Sequence, residues 1–494
     1  MSTTVVFVHG WSVTNLNTYG ELPIRLKAEA QQKGMEIEVN EIYLGRYISF
    51  HDEVGLEDIS RAFDIAVKEQ IKSPGRFVCI THSTGGPVIR DWWNKYYKTQ
   101  TPPLSHLIML APANFGSALA NLGKSRLSRI KSWFEGVEPG QGVLDWLECG
   151  SSDSWQLNKE WITSDGTQIG PAGVFPFVIT GQSIDRNLYD HLNSYTGELG
   201  SDGVVRTSSA NLNSRYIKLV QEEIAENQNQ ITISNDLKVA DYRNSPTAPL
   251  RVIKGKSHSG DTMGIMKSIK KEITDVNSKD TVNAILDCIR VTDINEYNSL
   301  ITKFDNDTNQ AQADELIETE TELFVIPRHF IHDRFSQIIF RVTDSQGYPV
   351  KDYDLIFTAG DQNDPNHLPP GFAIDRQQNQ NSPETITYYF NYDVLKGAPN
   401  NKFRDKLPGI NSLGLIINPR PTEGFVRFVT CKIIANSELF DMVFKPNSTT
   451  LIDIVIQRVV SKEVFRLEKL IGNSMPSDEE GNFKNTDPGT EFVN

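Results

Sequence analysis

The chain has 494 residues, 38% hydrophobic and 9% aromatic, with a formal net charge of −14 and a mean hydropathy of −0.37. That length allows about two to four domains with sizeable cores, and the acidic balance argues against a nucleic-acid partner on bulk charge. Cys79, Cys149, Cys288 and Cys431 are scattered, with neither CxxC nor metal-ligand spacing, so no metal and no disulfide framework is expected. The N-terminus lacks a charged n-region and a cleavable apolar h-region, and no window gives ~18 uninterrupted apolar residues. The chain is therefore expected to be made as a cytosolic protein, with signal-independent export left open.

In chain order, a buried-type strand Val5–Val8 runs into His9-Gly10-Trp11. A helix around Tyr19–Lys33, a strand around Glu36–Tyr43 and a helix around Leu56–Ile71 follow. An apolar run, Phe77 to Ile80, then drives into Thr81-His82-Ser83-Thr84-Gly85-Gly86 and a helix-competent segment, Pro87 to Tyr97. Strand, small-residue turn and helix form the context in which a G-x-S-x-G nucleophile elbow has physical meaning. The turn lifts the serine Oγ above the sheet, and the following helix N-terminus aims amide dipoles at an oxyanion formed there. Thr81 stands where the pattern has its first glycine. The amide after the nucleophile, Thr84, and that of Trp11 in the loop after the first strand are the candidate oxyanion pair. His82, next to Ser83 on a strand-like turn, is expected to face away from it.

A strand follows at Leu104–Leu110, and another at Val174–Thr180. Between them lie about sixty residues, far more than a typical αβ loop of ~2–6. This insertion, about 115–173, reads as a lid and holds Trp133, Trp146, Trp155 and Trp161, four of the seven tryptophans. Leu119 to Phe134 has helical spacing. Lys124, Arg126, Arg129 and Lys131 accompany an apolar stripe that includes Trp133 and Phe134, a pattern suited to an anionic lipid surface or to packing on the protein body.

Past Thr180 come three carboxylates, Asp185, Asp190 and Asp202. Asp202, in Gly200-Ser201-Asp202-Gly203-Val204-Val205, is favoured as the acid of a triad, and Asp185 is its main rival. Val220 to Ala248, rich in Asn, Gln and Glu, reads as an excursion containing a hairpin. Leu250 to Ile253 forms the last core strand and leads directly to Ser257-His258-Ser259-Gly260, where His258 can swing toward Ser83 as base. Helices at Thr262–Lys271 and Thr281–Arg290 close the first domain, residues 1–295.

Residues 296–322 are acidic and read as a linker or solvated helix. Beyond them, Phe324–Ile326, Gln337–Val342, Asp354–Thr358, Thr385–Phe390, Gly424–Thr430 and Thr450–Ile456 are short β-type runs separated by turn residues. They predict an all-β, sandwich-like accessory domain over 323–472, followed by a polar tail over 473–494. A protein partner could engage through this domain.

Val-His-Gly-Trp, Thr-His-Ser-Thr-Gly-Gly, Ser-Asp-Gly-Val-Val and Ser-His-Ser-Gly-Asp, in that order, resemble serine lipases of the α/β-hydrolase fold. The nearest likeness is to bacterial lipases and to PGAP1-like and lecithin-acyltransferase-like esterases, a group that includes antibacterial phospholipase effectors. The resemblance covers roughly the first 290 residues. It implies a mainly parallel sheet and acyl-ester hydrolysis with no metal or other cofactor. Ser83 would be the nucleophile, His258 the base, Asp202 the orienting acid, and Trp11 and Thr84 the oxyanion amides. The implied substrate is a lipid or membrane surface, with no nucleic-acid partner. A soluble esterase or acyltransferase, and an inactive scaffold carrying a β binding module, remain open as alternatives.

Overall fold

Two facts of the first strand set the layering: its apolar run, Val5–Val8, is continuous, and its side chains alternate between two cores. Val6 and Val8 point into one apolar cluster, Val5 and Phe7 into another. Cys79 divides from Val78 and Ile80 in the same way, so both faces of the sheet are covered, as expected for parallel strands. The computed structural model describes residues 2–9, 18–49, 51–71, 75–122, 140–185, 199–227, 230–320, 328–360 and 363–460.

The strands are β1 (Thr3–His9), β2 (Ile37–Tyr43), β3 (Phe77–His82), β4 (Leu104–Leu110), β5 (Phe175–Thr180), β6 (Arg215–Asn227), β7 (Gln230–Asn244) and β8 (Leu250–Val252). They continue as β9 (Ile317–Glu320), β10 (Arg328–Ile331), β11 (Phe335–Asp344), β12 (Tyr353–Thr358), β13 (Ala373–Gln378) and β14 (Thr385–Asn391). The last are β15 (Leu413–Pro419), β16 (Val426–Arg427), β17 (Cys431–Ala435), β18 (Ser448–Ile456) and β19 (Val459–Val460). Six form an all-parallel sheet in the order β2-β1-β3-β4-β5-β8, flanked by helices such as Leu22–Gln32, Leu56–Gln70, Gly85–Tyr97 and Lys279–Ile289. This is the expected α/β-hydrolase core, with helices on both faces.

Nine strands form a second, mixed sheet in the order β12-β15-β17-β7-β6-β18-β11-β14-β13. Seven ladder steps separate β12 from β14, about 34 Å along a flat sheet. The Phe357 ring of β12 nevertheless lies 4.9 Å from Tyr388 and 5.2 Å from Phe390 of β14. The sheet therefore curls back on itself around an aromatic core, which gives the C-terminal part its sandwich-like section.

Three sequence expectations change. The polar excursion after β5 is a long hairpin, β6–β7, but it leaves the hydrolase sheet: β6 pairs parallel with β18, and β7 meets β17. Central strands of the β domain thus come from within the first 295 residues, and the two lobes are interleaved. The acidic segment is not a linker. The helix Ile294–Asp314, capped by the Asp293 carboxylate, buries Tyr297, Leu300, Phe304 and Ala311 on one face. Its Thr308 hydroxyl accepts from the Val252 amide and donates to the Leu250 carbonyl, both at 3.0 Å, which covers the open edge of β8. Finally, residues 262–271 are turns and not a helix. There the Ser257 amide donates to the Met263 carbonyl at 3.0 Å and the Ile265 amide donates to the Ser257 carbonyl at 2.9 Å, so the segment pairs with the loop of His258. At its end buried Arg25 collects the carbonyls of Lys270, Glu272, Ile273 and Asp275.

Of the insertion, the helices Gln141–Leu147 and Ser152–Thr163 are packed body and not a loose cover. Trp146 joins the hydrolase core, and Trp155 packs with Phe115, Ile162, Tyr216, Ile339 and Leu451 between the lobes. Arg341 of β11 lies 4.4 Å from the Trp155 ring, a cation–π contact that crosses the lobe boundary. Lys124, Arg126, Arg129, Lys131, Trp133 and Phe134 lie outside the described residues, as do Trp11 and the tail from 461 onward. No helix among the described residues is long and apolar enough to cross a membrane.

Candidate active site

Ser83 sits where β3 ends and the helix Gly85–Tyr97 begins, with φ of 54°. A positive φ is strained for serine, and a sharp turn of this kind raises the hydroxyl off the sheet. The strain is held by backbone bonds on both sides of the turn. The Ser83 amide donates to Leu110 at 3.0 Å, and its carbonyl accepts from Ala113 at 3.2 Å. Gly86 is required here: a Cβ would stand 2.7 Å from that of Pro112. The Thr81 departure is absorbed locally, because its side chain lies over Gly85, which has none to oppose it.

His258 follows β8, and Asp202 lies in the loop before β6; the fold brings both to Ser83. The Ser83 hydroxyl is 3.0 Å from His258 Nε2, and His258 Nδ1 is 2.9 Å from Asp202 Oδ2. His258 and Asp202 are both fully buried. Asp202 Oδ1 accepts the Val204 and Val205 amides at 3.0 and 2.8 Å, so the carboxylate is fixed by its own turn. A backbone bond of 2.9 Å, His258 amide to Asp202 carbonyl, ties the two loops together. Asp185 is also buried, but the carboxylate that meets His258 is that of Asp202. A hydroxyl bonded to an imidazole that is itself backed by a carboxylate can transfer its proton as the oxygen attacks an electrophile.

Thr84 occupies the N-cap position of the helix after Ser83. His9 stacks on Tyr43 with ring centroids 4.3 Å apart and braces the end of β1. Burial holds the His9 pKa below its ordinary value, against the pull of Glu41. His82 was missed as a site residue. Its Nε2–H donates to the His258 carbonyl at 3.0 Å, and burial, followed by the neighbouring His258, pushes its pKa well below the usual range. Its place beside Ser83 was the available signal, but a partner 176 residues away was not. Among the described residues, no group of three or more His, Cys, Asp or Glu could hold a metal ion.

A parallel six-stranded sheet with a strained serine at the elbow after β3 defines an α/β-hydrolase of the serine lipase and esterase class. No protein-family model and no curated protein matches the chain. Among solved structures, phospholipase PlaB from Legionella pneumophila matches at 43% identity, over 96% of this chain and 98% of its own, with a TM-score of 0.83. The same phospholipase in complex with thio-NAD matches at 42% identity over the same shares, with a TM-score of 0.82. The chain belongs to the family of that phospholipase and is a carboxylic ester hydrolase of the lipase and phospholipase type.

Proposed function

We propose that the chain hydrolyses acyl esters of membrane phospholipids through Ser83, His258 and Asp202. The observation that carries this reading is the pair of hydrogen bonds, 3.0 and 2.9 Å, that joins a strained serine to a buried histidine and a buried carboxylate. His258 takes the Ser83 proton through Nε2 while Oγ attacks the ester carbonyl, and Nδ1–H stays on Asp202, which stabilises the imidazolium. The Thr84 amide, and that of Trp11 from the loop after β1, hold the oxyanion. His258 returns the proton to the leaving alcohol, and water, activated by the same imidazole, releases the fatty acid from the acyl-enzyme. The phospholipid preference draws on the activity named for the Legionella relative, with which the chain aligns over 96% of its length. Release of fatty acid from defined phospholipids and from triglycerides, with wild type beside Ser83→Ala, tests it. The expected result is faster release from phospholipid and a loss on the order of 10³-fold or more in Ser83→Ala. Retention of most hydrolysis in that variant would remove the serine mechanism.

A further inference from the structure

The loop that carries Asp202 does not rest on the hydrolase body alone. Its outer side is seated on the β domain, residue by residue. Gly200 has φ of +74°, and a Cβ there would stand 2.4 Å from the Phe335 ring and 2.5 Å from the Tyr389 hydroxyl. That hydroxyl donates to the Gly200 carbonyl at 3.0 Å. Further on, the Thr449 hydroxyl donates to the Ser208 carbonyl at 2.8 Å, and the Asn211 amide group donates to the Asn447 carbonyl at 2.6 Å.

The central element is Arg206. Its backbone bridges to Ser201, the residue before Asp202, and closes the turn that presents the carboxylate. Its side chain is 2% exposed and reaches into the β domain. It lies 4.2 Å from the Tyr389 ring centroid, pairs with Asp375 and reaches Gln337 Oε1 at 3.4 Å. Gln337, Tyr389 and Asp375 are register partners on β11, β14 and β13, so they form one row across three strands and share one face. The neighbouring residue Tyr388 faces the opposite way, into the aromatic core of the β domain. An amide, a ring and a carboxylate in register make a rigid seat for the Arg206 cation, since each strand of the row is hydrogen-bonded to the next.

We infer that Arg206 is a positioning residue for the acid, and that the row Gln337, Tyr389 and Asp375 of the β domain is the seat that holds Asp202 against His258. The inference rests on the reading of Asp202 as the orienting acid. It gives the C-terminal domain a part in the chemistry of a site to which it contributes no reacting atom.

The test compares Arg206→Gln, Tyr389→Phe and Asp202→Asn, each alone, with the two doubles that contain Asp202→Asn, on a short soluble ester. Tyr389→Phe keeps the ring and removes only the hydroxyl bonds, so it reads the effect even where Arg206→Gln folds poorly. The expected result is a fall in kcat of roughly 30-fold for Arg206→Gln and several-fold for Tyr389→Phe, with KM unchanged. The acid limb of the kcat/KM profile should move to lower pH in both, since His258 loses support for its charged form. In the Asp202→Asn background neither substitution should cost anything further, because a positioning residue has nothing left to position. Losses that multiply in the doubles, or an unmoved acid limb, would overturn the inference and leave the triad intact. A fully active Asp202→Asn would instead overturn the acid assignment, and the inference with it.

Discussion

His82 donates its ring N–H to the backbone carbonyl of His258 at 3.0 Å, and the two rings lie 4.6 Å apart. His82 is the last residue of β3 and Ser83 follows it, so one bond links the nucleophile strand to the loop of the base. The lowered pKa keeps His82 neutral near pH 7, which avoids a second positive charge beside an imidazolium. His82→Ala should therefore lower kcat by about 10-fold, the scale of one net hydrogen bond in a geometry-sensitive site. His82→Asn, which retains a donor, should recover part of it. The rate at which an organophosphonate labels Ser83 is the direct measurement, and an unchanged rate in His82→Ala would deny the bond any role.

The acid can be assigned by a pair of substitutions. Asp202→Asn keeps the shape of the turn but turns His258 to the wrong tautomer, and activity should fall by roughly 10³- to 10⁴-fold. Asp185→Asn should retain most of it, because the Asp185 carboxylate is not the one that meets His258. The opposite ranking in kcat would exchange the two roles.

Which parts were legible in the sequence follows from how local their determinants are. The elbow was legible because strand, turn and helix are contiguous over Phe77–Tyr97, although the bonds that hold the φ of Ser83 come from Leu110 and Ala113. The β6–β7 hairpin was legible as a hairpin but not as part of the second sheet, since its partner β18 lies over 200 residues onward. The helix Ile294–Asp314 carried its stripe, Tyr297, Leu300, Phe304 and Ala311, at helical spacing. Acidic residues on the other face obscured it. Residues 262–271 look helical, but the Met263 carbonyl and the Ile265 amide pair with the backbone of Ser257, a partner outside the segment that its own pattern does not show. Arg206 looked like any charged residue after a turn.

Glu148 provides a pH test of the contact between the insertion and the β domain. Burial raises its carboxyl pKa to about 7 from 4.5, although the Gln380 amide donates to it at 2.9 Å and acts the other way. Between those values the folded chain keeps a proton that the unfolded chain has lost, so stability falls as pH rises across that window. The contribution is fully present below the unfolded pKa and gone above the folded one. Glu148→Gln mimics the protonated form, so the drop in Tm from about pH 5 to about pH 8 should be smaller in the variant than in wild type. Equal drops in thermal melts would mean that Glu148 does not titrate in this window.

The basic stripe of the insertion separates a lipid enzyme from one that acts on dissolved esters. If Lys124, Arg126, Arg129 and Lys131 meet an anionic membrane, changing all four to Glu should weaken binding to anionic vesicles and slow hydrolysis of their lipid. Each basic residue near such a surface contributes about 1 kcal/mol, so even partial engagement is measurable by vesicle co-sedimentation. Hydrolysis of a short monomeric ester should change little, because Ser83, Asp202 and His258 are untouched. Added salt should weaken the wild type on vesicles and leave the reversed variant nearly unaffected, since screening acts on exposed charge. Equal losses on vesicles and on the monomeric ester would make the stripe a structural element and withdraw the membrane contact.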